Sequence, residues 1–92
     1  MSTDQRIDYV EFPSNDFDAC EAFYTKTFSW SFTDYGPEYR AFNDGQFNGG
    51  FFKSELCSTT ASGAALVILY ATDLEATQEK VAANGGTICK DI

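Results

Sequence analysis

Alternating apolar and polar side chains mark the first element of the chain. Residues 7–12 place Ile7, Tyr9 and Glu11 on one face and Asp8, Val10 and Phe12 on the other. A period of two in a stretch rich in β-branched and aromatic residues predicts a strand. We expect Pro13 to end this strand, because proline has no backbone N–H to donate.

The pattern then changes to helical spacing. Asn15, with Asp18 three residues later, is the predicted N-terminal cap. Positions three and four residues apart carry side chains suited to one buried stripe, namely Phe17, Cys20, Phe23, Tyr24, Thr27 and Phe28. This spacing predicts a helix that packs its stripe into the core.

Three short strands are predicted to follow the helix. Residues 30–34 alternate and end at a turn, residues 39–43 form the next strand, and residues 47–53 return after Asp44-Gly45. Asp-Gly between two apolar runs is a strong hairpin signal. Residues 7–53 therefore predict the order β-α-β-β-β.

The rest of the chain predicts a shorter version of the same order. Residues 54–63 are small and polar and predict a loop, and residues 65–71 are apolar and predict a strand. Thr72-Asp73-Leu74-Glu75 is a capping box for a helix to Asn84, and Gly85-Gly86 supplies its left-handed end. A last strand is predicted over residues 87–90, so residues 64–92 predict β-α-β.

The two halves also share sequence at the start of their helices. Asn15-Asp16-Phe17-Asp18-Ala19 and Thr72-Asp73-Leu74-Glu75-Ala76 each follow a predicted strand directly. An internal duplication within one domain, residues 1–92, is the simplest explanation. On this interpretation the second copy lacks two strands, and we expect its unpaired edge to associate with a second chain, forming a homodimer.

Composition narrows the class of partner. The net charge is -8 at pH 7 and the acidic residues are spread along the chain, which opposes binding to nucleic acid or to an anionic membrane surface. The first eight residues lack the basic and apolar character of a secretory signal, and the apolar run 64–71 is too short to span a bilayer. We therefore predict a cytoplasmic protein.

The order and spacing of several weak motifs resemble the glyoxalase/bleomycin-resistance/dioxygenase superfamily, which has the vicinal oxygen chelate fold. The motifs are Asp16-Phe17, Phe23-Tyr24-x-x-x-Phe28-x-Trp30, the 39–50 hairpin, Asp73-Leu74-Glu75-Ala76 and Asn84-Gly85-Gly86. The resemblance implies an α+β fold, with two βαβββ modules forming a curved mixed sheet around a ligand cup and helices on one side. Ser29 departs from the helix-ending glycine of relatives, and a left-handed serine there would cost about 1 kcal/mol.

The same resemblance indicates where metal ligands would lie. Relatives that use a metal place His, Gln or Glu on the first strand of each module, positions that correspond to Tyr9 and Val67, and a carboxylate near residues 49–51. None of these residues is a good ligand for a divalent metal, and the chain contains no His. We therefore predict no metal site and no other cofactor.

Two residues on the first strand are candidates for chemistry. Glu11 shares a face with Tyr9, and beside apolar walls its carboxylate would act as a general base. The alternative is a solvated Glu11 near a strand end. Tyr9 would orient a ligand through its hydroxyl or fill space within the cup.

Aromatic side chains give the cup its predicted ligand class. Aromatic walls bind flat or cationic molecules by stacking and cation-π contacts, and an acidic surface attracts cations. Many of these rings are also suited to an ordinary core. The predicted ligand-binding residues are Tyr9, Glu11, Trp30, Phe32, Tyr39, Phe51, Val67 and Leu69.

Three hypotheses for function remain open at this stage. The first is a metal-independent, dimeric protein that binds a small aromatic or cationic molecule. The second is a metal-independent lyase or isomerase with Glu11 as the catalytic base. The third is a shortened remnant that only folds and self-associates.

Overall fold

A computed structural model describes residues 4–89. The strands are β1 (Tyr9–Ser14), β2 (Ser31–Asp34), β3 (Tyr39–Asn43) and β4 (Asn48–Lys53). The helices are α1 (Phe17–Phe28) and α2 (Leu74–Ala83), with a 3-10 turn at Thr60–Ser62. None of the helices in this part of the chain is both long and apolar enough to cross a membrane.

The four strands form one mixed sheet in the order β1-β4-β3-β2. β1 runs parallel to β4, which is possible because α1 carries the chain back across the sheet. β4 and β3, and β3 and β2, are antiparallel neighbours joined by short turns. The predicted α+β class and the β-α-β-β-β order of the first half are confirmed.

The first strand extends further than its sequence predicted. Pro13 does not end β1, which continues to Ser14 with Pro13 opposite Phe52 of β4. Proline is tolerated there because β1 is an edge strand, so one side of its backbone needs no partner. Ile7 lies before the strand and is exposed.

The cap of each helix lies one residue later than predicted. Asp16, rather than Asn15, caps α1 by accepting a hydrogen bond from the Ala19 amide at 3.0 Å. Asp73, rather than Thr72, caps α2 by accepting from the Ala76 amide at the same distance. A carboxylate accepts a charge-assisted bond and also complements the positive end of the helix, which explains why aspartate takes the position.

The end of α1 has an unusual backbone geometry for a residue other than glycine. Ser29 adopts the left-handed conformation, with φ 62° and ψ 31°. Its N–H donates to the Thr25 carbonyl, and the Trp30 N–H donates to the Tyr24 carbonyl. These bonds provide donors for carbonyl groups in the last turn of α1 and direct the chain into β2.

The core lies between α1 and one face of the sheet. Phe17 of α1 packs with Phe42 and Phe51 of the sheet, and all three are buried. Around them lie the rings of Tyr24 and Trp30, which are stacked with centroids 4.5 Å apart. Burial of aromatic rings in such contacts is the main source of stability in a sheet and helix of this size.

Arg40 joins α1 to the same face of the sheet. Its guanidinium contacts Asp18 at 2.8 Å, Glu21 at 3.2 Å and Asp34 at 3.7 Å. It also lies over the Phe17 ring, 5.7 Å from the centroid. The hydrogen bond that Arg40 donates to Asp18 is the main cause of a raised Arg40 pKa, so the charge of Arg40 is fixed and neutralised on the helix side.

The strand predicted over residues 65–71 is not formed. The described sheet contains only β1 to β4, and the side chains from Leu66 to Tyr70 are exposed on an irregular segment. The prediction was wrong because a strand needs a hydrogen-bonded neighbour as well as β-forming residues. Residues 87–89 of the other predicted strand are also irregular, and Lys90 lies outside the described residues.

The second half nevertheless packs against the first through its helix. α2 lies against α1, and after α2 the chain turns at Gly85, whose φ is 95°. A Cβ added to Gly86 would lie 3.0 Å from the Phe23 ring of α1. The Gly85-Gly86 stop is therefore confirmed, and the absence of a side chain on Gly86 lets the turn after α2 pack closely against Val81 of α2 and Phe23 of α1.

Candidate functional site

The two faces of the sheet differ in chemistry. One face is covered by α1 and carries the core rings. On the other face, which no helix of the described chain covers, Tyr9, Glu11 and Tyr39 alternate with core residues of β1 and β3. A site on this open face can admit a ligand without disturbing the core.

An open groove of about 540 Å³ lies on this face. Its volume falls within the range of small-molecule sites. Its lining combines aromatic, hydroxyl and amide side chains with a few apolar contacts, from Tyr9, Ser31, Thr33, Tyr35, Tyr39, Ala41, Phe42, Asn43, Asn48 and Gly49. Glu11 is not part of this lining and lies beside it, bonded to Tyr39.

Three side chains at one end of the groove form a chain of hydrogen bonds, which we call the tyrosine-glutamate cluster (Tyr9, Tyr39, Glu11). The hydroxyl oxygens of Tyr9 and Tyr39 are 2.6 Å apart, and the Tyr39 hydroxyl donates to Glu11 Oε2 at 2.8 Å. The cluster connects β1 to β3 across the intervening strand β4. It therefore brings together residues 28 and 30 positions apart in the chain.

A glycine on β4 makes this connection possible. Gly50 is opposite Glu11 on one side and opposite Ala41 on the other. A Cβ added to Gly50 would overlap the Tyr39 ring and hydroxyl. The missing side chain thus leaves room for Tyr39 to cross β4 and reach β1.

The environment of the cluster holds the Tyr39 proton firmly. Desolvation, followed by the hydrogen bonds to Tyr9 and Glu11, raises the pKa of Tyr39 well above its usual value. Tyr39 is therefore a neutral donor to Glu11 near neutral pH. Glu11 itself is exposed in the single chain, so the apolar walls expected around it are not present there.

The residues predicted to bind a ligand are divided between three places. Tyr9, Glu11 and Tyr39 come together in the cluster. Three aromatic residues lie on the opposite face, packed in or against the core: Trp30, Phe32 and Phe51. Val67 and Leu69 lie in the irregular apolar segment, 52% and 41% exposed, and neither lines the groove.

Several polar groove residues were missed by the sequence analysis. Ser31 and Thr33 alternate with Phe32 on β2, and Asn43 and Asn48 face each other across the hairpin with an amide hydrogen bond of 2.7 Å. The alternation on β2 carried a usable signal, since Phe32 in the core requires Ser31 and Thr33 to face the groove. The pairing of Asn43 with Asn48 depended on the register of the hairpin.

The side chains of the tyrosine-glutamate cluster do not fit a divalent metal centre of the kind expected from metal-using proteins of this fold. A divalent metal needs several carboxylate or imidazole ligands, whereas the cluster offers one carboxylate and two phenols. The raised pKa of Tyr39 disfavours the phenolate that a metal would require. Within residues 4–89, no three His, Cys, Asp or Glu side chains are grouped as metal ligands would be.

Charge is distributed unevenly between the two faces. The groove lining contains no Lys or Arg, and Arg40 is directed to the helix side by its three carboxylate partners. Glu11 is bonded to the cluster at the end of the groove. The electrostatic potential at that end therefore favours positive charge.

The fold is shared with proteins of known structure. FosX, a fosfomycin resistance protein from Mesorhizobium loti, matches with a TM-score of 0.69 at 13% identity, over 90% of this chain and 70% of that protein. A virulence protein from Salmonella typhimurium matches with a TM-score of 0.67 at 21% identity, over 99% of this chain and 76% of that protein. At such low identity the likeness establishes the fold.

A third structure, a bleomycin resistance determinant encoded on transposon Tn5, gives a TM-score of 0.60 at 22% identity, over 98% of this chain and 72% of that protein. No curated protein matches the chain significantly. The family model described as "Glyoxalase/Bleomycin resistance protein/Dioxygenase superfamily" matches residues 6–92, nearly the whole sequence. The chain therefore belongs to the glyoxalase/bleomycin resistance protein/dioxygenase superfamily.

Proposed function

We propose that this chain binds a small aromatic or cationic molecule in the groove on the open sheet face, without a metal. The observation that carries the proposal is the tyrosine-glutamate cluster at the end of a groove of about 540 Å³. Tyrosine faces stack on flat ligands and attract cations, while the hydroxyl and amide groups fix orientation. Two of the structural relatives are resistance proteins, one named for fosfomycin and one for bleomycin, which are both small molecules.

Fragment screening by NMR tests this proposal directly. We expect aromatic fragments to shift amide signals of the groove residues and to raise the thermal midpoint. At a ligand concentration of 100 times Kd the stabilisation is about 2.7 kcal/mol. Absence of any shift in the groove across aromatic amines, alcohols and acids would contradict it.

The binding unit that we propose is a homodimer. The support is the run of five exposed apolar residues from Leu66 to Tyr70, all between 41% and 88% exposed. Such a contiguous run is uncommon on a protein that functions alone, and its β-forming side chains suit pairing with a second chain.

Sedimentation equilibrium provides the test of assembly. We expect a dimer that dissociates at least about tenfold more readily when Leu66 and Ile68 are both changed to Lys. A control with Ser58→Lys and Ala61→Lys adds the same charge at exposed positions outside the apolar run. A monomer at all accessible concentrations, or equal weakening by the control, would count against the apolar run as the interface.

A second candidate function is proton transfer by Glu11 on a bound ligand. The observation that favours it is the hydrogen bond from Tyr39 to Glu11 Oε2, which orients the carboxylate beside the groove and leaves Oε1 to accept a proton from the ligand. Exchange of an acidic C–H of a bound ligand for deuterium, lost in Glu11→Gln with the fold intact, would support catalysis. Ligands that bind but never exchange or convert would leave binding as the function.

A further inference from the structure

The direction of the hydrogen bonds in the tyrosine-glutamate cluster decides what it can offer to a ligand. Glu11 is a carboxylate, which only accepts, and Tyr39 donates its one proton to Glu11 Oε2. The bond between the two hydroxyls therefore has Tyr9 as donor and Tyr39 as acceptor. Both phenol protons are committed within the cluster.

What remains for a ligand at this end of the groove is a set of lone pairs. The Tyr9 oxygen retains its acceptor positions, and Glu11 Oε1 takes part in no hydrogen bond within the cluster. The raised pKa of Tyr39 keeps its proton on the bond to Glu11, so the arrangement holds near neutral pH. A ligand group at this position must supply the hydrogen atoms.

The remaining groove residues do not reverse this preference. Ser31, Thr33 and Asn48 offer neutral hydroxyl or amide groups, and no basic side chain lines the groove. Neutral donors can hydrogen-bond an anion, but they do not neutralise its charge or offset repulsion from the Glu11 carboxylate. The negative charge of Glu11 and the unused lone pairs of the cluster therefore both favour a cationic group that donates hydrogen bonds.

We propose that the cluster is an acceptor-only subsite for a protonated nitrogen with N–H groups, namely a primary ammonium, amidinium or guanidinium attached to an aromatic ring. This inference rests on the proposed binding function and narrows its ligand class. The N–H groups bond to the Tyr9 oxygen and to Glu11, and the ring occupies the groove between the tyrosine faces. Anionic ligands are excluded by the same acceptors.

Four probes that carry the same naphthalene group separate the effect of charge from the effect of hydrogen-bond donation. They are 1-naphthylmethylamine, its alcohol, its N,N,N-trimethylammonium derivative and 1-naphthylacetate, each titrated by NMR. We expect the amine to bind at least about tenfold more tightly than the alcohol, because charged hydrogen bonds are about twice as strong as neutral ones. The trimethylammonium probe keeps the charge without N–H groups, so it should bind more weakly than the amine.

The outcomes distinguish failure of this inference from failure of the proposed function. Equal binding of amine and trimethylammonium, or of amine and alcohol, overturns the acceptor subsite and leaves groove binding in place. Preferential binding of the naphthylacetate anion does the same. Absence of binding by all four probes counts against both.

Glu11→Gln and Tyr39→Phe test the role of the cluster itself. The control is Glu79→Gln on the exposed surface of α2, which also removes one negative charge. Glu11→Gln should reduce the preference for amine over alcohol to within about twofold. Tyr39→Phe removes the acceptor for Tyr9, so the Tyr9 hydroxyl can donate to the ligand and discrimination against the anion should fall. The assignment is overturned if Glu11→Gln keeps the preference for amine over alcohol and Tyr39→Phe keeps the discrimination against the anion. It is also overturned if Glu79→Gln reduces these preferences equally.

Discussion

The two halves of this molecule begin from similar sequence and differ in outcome. In residues 9–53, apolar alternation, turns and a helix combine into a sheet with a buried aromatic core. In residues 64–89, the helix forms with the same aspartate cap but the apolar run before it stays outside the sheet and exposed. The comparison shows that a helix completes its backbone hydrogen bonds within its own segment, whereas a strand requires a hydrogen-bonded neighbour.

The largest expected difference between the halves is in how much their apolar side chains contribute to the free energy of unfolding. Phe51→Ala should lower the free energy of unfolding by about 3–5 kcal/mol, because Phe51 is only 5% exposed and its loss leaves a cavity. Leu66→Ala, at a residue 71% exposed, should change it by less than about 0.5 kcal/mol in dilute solution. Urea denaturation measures both, and similar losses would mean that the apolar run is packed in the free chain.

The next effect concerns the glycine beneath Tyr39. Gly50→Ala should destabilise by about 1–3 kcal/mol, since the added Cβ overlaps Tyr39 and the ring must move away from Glu11. The same change in a Tyr39→Ala background should be nearly neutral, because the overlapping ring is gone. A double-mutant cycle with no coupling between the two positions would show that Tyr39 does not cross β4 as described.

A smaller effect compares the ends of the two helices. Ser29→Gly should stabilise by up to about 1 kcal/mol, because glycine adopts a φ of 62° without steric strain. Gly85→Ser should destabilise by a similar amount at a φ of 95° in the second half. Thermal unfolding of both variants provides the check, and a destabilising Ser29→Gly would indicate that the serine side chain has a partner of its own.

The smallest expected effect is the alkaline titration of Tyr39. Its folded pKa lies above the unfolded value of about 10, so the folded state retains a proton that the unfolded state loses. Stability should be unaffected below that pH and should fall as the pH rises above it. Tyr39→Phe should reduce the slope of this decline, and an unchanged slope in urea melts above pH 10 would contradict the assignment.

The candidate site was accessible to sequence reasoning only in part. The alternation in β1 placed Tyr9 and Glu11 on one face, and the structure confirms that they share it. No pattern placed Tyr39 against them, because its position depends on the parallel pairing of β1 with β4 and on Gly50 between them. Trp30, Phe32 and Phe51 could not be assigned to groove or core from composition, since aromatic rings suit both.

The sequence by itself determined the elements whose signals are local. Caps, helical stripes and the Asp44-Gly45 turn follow from interactions within a few residues, so the errors in predicting them were limited to one or two positions. The tertiary structure decided which apolar runs became strands and which face of the sheet stayed open. Those outcomes depend on hydrogen bonds and packing between residues far apart in the chain, and only the fold brings Tyr9, Tyr39 and Glu11 into one cluster.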